Sequence, residues 1–137
     1  MRSPSSLRRA ILIVDDDAGV RDLVRTYLTG AGFGVETART GVEAVNKLRR
    51  WQPTAMVLDI NMPELDGFGV LEALRNDMTL VPTLVLTARH GAEDVRRAIG
   101  LGAKDYLSKP FSEAQLLARV ARLVRAPRRV ELRAPAT

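Results

Sequence analysis

The chain has 137 residues, 46% of them hydrophobic, which suits one domain with a substantial core. It has no cysteine and a single histidine, His90, so disulfides, thiolate catalysis, cysteine-ligated zinc and polyhistidine metal sites are excluded. The net charge of +5 comes largely from arginines toward the two ends (Arg2, Arg8 and Arg9, then Arg122, Arg125, Arg128, Arg129 and Arg133), and it reads as solvated ends rather than a surface for direct nucleic-acid binding.

No apolar run approaches the roughly 20 residues of a membrane span. The stretch behind MRSPSSLRRA runs straight into Asp15-Asp16-Asp17, as a strand does and a signal-peptide core does not. The expectation is a cytoplasmic protein without membrane attachment.

The first strand is AILIV, Ala10–Val14; its continuous rather than alternating hydrophobicity suits burial on both faces. Residues 18–30 follow as a helix, with Val20, Leu23, Val24, Tyr27 and Leu28 at helical spacing and Gly30 and Gly32 ending it. Gly34–Ala38 reads as a shorter strand at or near an edge. Thr40 and Glu43 have capping-box spacing and open a second helix running to about Arg50, with Val45 and Leu48 inward. Ala55–Asp59 is the third strand. The loop NMPELDG follows, turning at Pro63 and Gly67 into a helix that carries Phe68, Leu71 and Leu74.

Pro82 delivers the chain into a fourth strand, TLVLT. A weakly amphipathic helix over 92–101 places Val95, Ala98 and Ile99 on one side, and Asp105–Ser108 is the fifth strand. Ser112 and Gln115 form another capping box, whose helix buries Leu116, Leu117, Val120, Leu123 and Val124. From Ala126 the pattern dissolves. Residues 1–8 and 126–137 are therefore expected to be flexible basic termini around a domain at 9–125. Five strands alternating with five helices imply a doubly wound α/β fold, a parallel sheet with right-handed crossovers and helices on both faces.

Asp15-Asp16, Asp59, Thr87 and Lys109 each stand just past or at the end of a strand, so they fall on one edge of the sheet, where open α/β folds hold their ligands. Should strands one and three be neighbours, Asp15 or Asp16 would meet Asp59. Converging carboxylates are stable together only around a cation or with a raised pKa. Mg²⁺ fits, since it takes one or two carboxylates and completes its shell with water and phosphate oxygens. One carboxylate is then free to attack phosphorus, with Lys109 as a compact balancing charge and the Thr87 hydroxyl as a donor to a phosphoryl oxygen. Asp17 is placed to do no more than cap the first helix.

The motifs ILIVDDD, VLDINMPELDG, VLTA and GAKDYLSKPF, in that order, make residues 9–125 resemble a response-regulator receiver domain of two-component signalling. The resemblance implies a flavodoxin-like (βα)5 sheet of order 2-1-3-4-5. It implies that Asp59 is phosphorylated by a histidine kinase or histidine phosphotransfer protein, the chain being a phosphoacceptor rather than an enzyme. Asp16 would bind Mg²⁺ directly and Asp15 mainly through water, with Asp59 and the backbone carbonyl of Asn61 completing the site. Lys109 would bridge to the phosphoryl group, and the Lys109–Pro110 bond would be cis, the isomer proline makes accessible. Thr87 and Tyr106 would form a switch pair that reshapes the surface of helix four, strand five and helix five toward a downstream protein target or output domain. Asn61 and Arg89 stand where they could tune the lifetime of the phosphoryl group.

GLGAKDYLSKPF and LLARVARLVRA further resemble winged-helix regulators, whose receivers dimerise through the helix four, strand five and helix five face; a phosphorylation-dependent homodimer is the corresponding expectation, with Asp105 and Arg119 or Arg122 supplying cross-dimer charge pairs. Ala121 departs from that pattern, standing where a basic residue is usual. The alternative is therefore a receiver portion of a longer DNA-binding regulator. A Mg²⁺-dependent aspartyl-phosphate hydrolase is a more distant reading, because it wants an acid where Asn61 stands. A flavin or nucleotide binder would need a Gly-rich loop where this chain is acidic. Arg21, Val24, Arg25 and Leu28 on the first helix are the expected kinase-docking face.

Overall fold

The computed structural model describes residues 9–88 and 91–125; the segments 1–8 and 126–137 assigned to flexible termini, and Arg89 and His90, lie outside the described residues. Five strands, β1 (Ala10–Val14), β2 (Gly34–Ala38), β3 (Ala55–Asp59), β4 (Thr83–Thr87) and β5 (Asp105–Ser108), alternate with five helices. The helices are α1 (Ala18–Gly30), α2 (Gly41–Arg50), α3 (Gly67–Asn76), α4 (Ala92–Gly100) and α5 (Glu113–Arg125). All strand pairs are parallel, in the order β2-β1-β3-β4-β5, the flavodoxin-like arrangement.

The apolar patterning explains the layers. In β1, β3 and β4 every residue is buried, because successive side chains point to opposite faces and both faces are covered. Leu12, Val14, Met56, Leu58 and Val85 pack with α2, α3 and Ala98 of α4. Ile11, Ile13, Val57, Leu84 and Leu86 pack on the opposite side with Val24 and Leu28 of α1 and Leu116, Val120 and Leu123 of α5. Each such Leu or Ile contributes about 1.5–3 kcal/mol through burial. β2 and β5 are the free edges, and in β2 only Ala38 is buried.

Helix starts are set by side-chain oxygens. Asp17 accepts from the N–H of Val20, Thr40 from that of Glu43, and Asp66 from that of Gly69. Ser112 and Gln115 complete a reciprocal box, each accepting the other's backbone N–H. α1 ends at Ala31, followed by Gly32 at φ 97°, a conformation that favours glycine.

Two details of the expected faces change. Leu23 is 42% exposed, whereas Val24 and Leu28 are fully buried against the sheet. A docking partner therefore cannot touch Val24 or Leu28; the outer side of α1 carries Asp22, Leu23, Arg25, Thr26 and Thr29 instead. Among the described residues, no helix is long and apolar enough to cross a membrane.

Candidate functional site

β1 and β3 lie side by side with Val14 level with Leu58, so Asp15, the residue after β1, and Asp59, the last of β3, share one sheet edge. Asp15 is fully buried and Asp59 is 3% exposed. Asp15, Asp16 and Asp59 each place a carboxylate oxygen within 4.8 Å of the other two. Asp16 is exposed, the open side of the cluster. Lys109 reaches in from beyond β5, its Nζ 3.1 Å from Asp59 Oδ1 and 3.4 Å from Asp15 Oδ2.

Backbone contacts hold these groups. The Asp17 N–H donates to Asp15 Oδ1 at 2.9 Å, and Arg21 Nη1 donates to the Asp15 carbonyl at 2.8 Å. The Asn61 N–H donates to the Asp59 carboxylate. The Lys109 N–H donates to the carbonyl of Thr87 at 2.8 Å, tying β5's exit to the end of β4. Thr87 is 1% exposed, and the Lys109–Pro110 peptide is cis.

The electrostatics follow from burial. Burial, reinforced by the Asp15 charge, pushes the Asp59 carboxyl up to about 6, with the Lys109 charge opposing. Burial also raises Asp15, against the hydrogen bond from Asp17 and the charge of Lys109. For Lys109, burial works downward, but the charges of Asp59 and Asp15 outweigh it and its pKa is raised. Two buried carboxylates and an exposed third exceed what a single ammonium neutralises. That surplus of hard oxygen donors suits a hard divalent cation.

Tyr106 is 41% exposed on β5. Arg119 of α5 donates to its carbonyl at 2.6 Å and holds its guanidinium 5.9 Å from the ring centroid. The same Arg119 pairs with Asp105 at 3.0 Å within the chain.

Arg21 and Gly67 have roles the motifs do not announce. Arg21, expected on a docking face, braces the Asp15 carbonyl with its guanidinium. Gly67 reads as a turn, yet a Cβ there would lie 2.7 Å from the Asp59 carbonyl oxygen. The Asp-Gly pair closing the loop is the sequence signal for such a close approach.

Residues 11–121 match the response regulator receiver domain family. The chain is 46% identical over 115 residues to response regulator MprA of Mycobacterium leprae, covering 84% of this chain and 50% of that protein. It thus spans about half the length of the curated relatives it matches. Among solved structures, it superposes on Vibrio cholerae chemotaxis protein CheY4 with a TM-score of 0.79 at 34% identity, covering 83% of this chain and 97% of the other. The receiver domain of Francisella response regulator 1452 gives a TM-score of 0.80 at 31% identity, covering 85% and 96% respectively. The chain belongs to the response regulator receiver domain family and is a receiver domain of two-component signalling.

Proposed function

We propose that Asp59 accepts a phosphoryl group from the phosphohistidine of a kinase or phosphotransfer protein, within a domain spanning residues 9–125. The observation that carries this reading is the 3.1 Å contact of Lys109 Nζ with Asp59 Oδ1, inside a cluster whose three carboxylates approach within 4.8 Å. A carboxylate oxygen of Asp59 forms the new P–O bond as the donor's P–N bond breaks, and the departing imidazole nitrogen keeps the electron pair. Asp15, Asp16, Asp59 and the Asn61 carbonyl would hold Mg²⁺, which when bound supplies positive charge to the phosphoryl oxygens.

Lys109 balances the remaining phosphoryl charge as a point cation. Thr87, at the end of β4, offers its hydroxyl to a phosphoryl oxygen, and its displacement vacates space for the exposed ring of Tyr106. The phosphoryl group shifts that equilibrium only through its different contacts in the two states. The reshaped surface of α4, β5 and α5 then acts on a downstream protein, an output domain or a second copy of the chain. The domain has no turnover beyond slow self-phosphorylation and dephosphorylation, and it works in the cytoplasm.

Acetyl phosphate with Mg²⁺ tests the reading. The wild type should gain one acid-stable, base-labile phosphate and Asp59→Asn none. Fast multiple-turnover release of phosphate, with no phosphoprotein accumulating, would instead mark a hydrolase.

A further inference from the structure

Helix α4 is the helix the core holds least. Ala98 is its one buried residue, and Gly91 at its N-cap provides no side-chain hydrogen bond. Two arginines tie it to α3. Arg75 Nη1 donates to the Gly100 carbonyl at 3.0 Å, securing the C-terminal end. Arg97 of α4 lies with its guanidinium carbon 4.1 Å from the centroid of the Phe68 ring, and Phe68 is 7% exposed. A cation over an aromatic face at that distance is attracted by the ring quadrupole.

Phe68 is the second residue of α3, and its backbone is built on the loop leaving Asp59. The neighbouring Gly67 N–H donates to the Ile60 carbonyl at 2.8 Å. A Cβ at Gly67 would lie 2.7 Å from both the Asp59 carbonyl oxygen and Ile60 Cα. Backbone packed that closely cannot shift at Asp59 and Ile60 without carrying the start of α3, and with it the Phe68 ring. The contacts from Asp59 to Arg97 are thus continuous, and they bypass Thr87 and Tyr106.

We propose that Arg97 is a positioning residue through which the Asp59 loop, acting on the Phe68 ring, sets how firmly α4 is held. The proposal deepens the phosphoacceptor reading and rests on it. It makes α4's hold depend on the phosphoryl site by a contact between two named side chains. A coupling of this kind is established only by measuring both partners together.

Amide hydrogen exchange of the full chain tests it, with and without Mg²⁺ and beryllofluoride, in wild type, Arg97→Ala, Arg97→Lys, Phe68→Leu and the double variant Arg97→Ala/Phe68→Leu. In Arg97→Ala the α4 amides should exchange roughly two- to fivefold faster while the sheet is unchanged. Arg97→Lys should restore part of the protection. The double variant should exchange no faster in α4 than Phe68→Leu alone, and the α4 response to beryllofluoride should shrink in Arg97→Ala.

Wild-type exchange of α4 in Arg97→Ala overturns the proposal, as does an undiminished beryllofluoride response in that variant. A wild-type α4 indifferent to beryllofluoride, in protein that labels normally at Asp59, overturns it too. Loss of labelling in the wild type would sink the phosphoacceptor reading instead, so the two failures are distinguishable.

Discussion

Gly67 abuts the backbone of Asp59: a Cβ placed on it would sit 2.7 Å from the Asp59 carbonyl oxygen. The Asp59 oxygen is a backbone atom and the Gly67 backbone fixes where a Cβ would stand, so no side-chain rotation relieves the contact. Gly67→Ala should cost about 1–3 kcal/mol in chemical denaturation, the range for overpacking a close contact. It should also lower acetyl-phosphate labelling by displacing the Asp59 loop. Unchanged stability and labelling would show that the loop yields freely.

Asp59 makes stability depend on pH. Its folded pKa of about 6 lies above the ordinary 3.8, so the fold prefers the protonated carboxyl. The penalty is absent below about pH 4 and grows as pH rises through 6, reaching on the order of 3 kcal/mol. Without divalent cations, the wild type should lose stability relative to Asp59→Asn between those limits, as thermal unfolding at stepped pH would register. Mg²⁺ should recover that loss above pH 6 and have little effect near pH 4, where protons compete for the carboxylates.

Lys109 is the cation that two buried carboxylates share. Lys109→Met should raise the pKa of Asp59 further, followed by NMR titration, and reduce labelling by at least roughly tenfold, the effect of about 1.4 kcal/mol in the barrier. Lys109→Arg should rescue poorly, because a planar fork does not replace a point charge facing two oxygens. Full labelling of Lys109→Met would remove Lys109 from the chemistry, and full labelling of Lys109→Arg would show that any cation there suffices.

The three consecutive aspartates should separate by assay. Asp17 caps α1 through Val20, so Asp17→Ala should cost about 1 kcal/mol of stability and leave Mg²⁺ affinity largely intact. Asp16 is exposed at the open side of the cluster. Asp16→Ala should weaken Mg²⁺ binding in calorimetry with little loss of stability. Reversed effects would exchange their roles.

The strand ends made the site legible, because a buried parallel strand advertises itself as an apolar run and the residue after it must sit at the ligand edge. Asp15, Asp59, Thr87 and Lys109 could be placed on one edge for that reason. The caps at Thr40 and Ser112 were equally plain, since capping follows local spacing. The inward phase of α1 was less so: Leu23 fits the apolar spacing yet faces solvent, because an apolar stripe wider than the contact leaves its rim exposed. Arg21 on the Asp15 carbonyl and Arg119 on the Tyr106 carbonyl are illegible, since a long flexible side chain seeking a backbone oxygen leaves no periodic trace.

The most direct test of the account locates the phosphoryl group. After brief exposure to acetyl phosphate and Mg²⁺, intact mass and peptide mapping should find one acyl phosphate, on Asp59, that is missing from Asp59→Asn and abolished by chelation. A phosphoryl group on Asp15 or Asp16, or labelling that persists in Asp59→Asn, would contradict it.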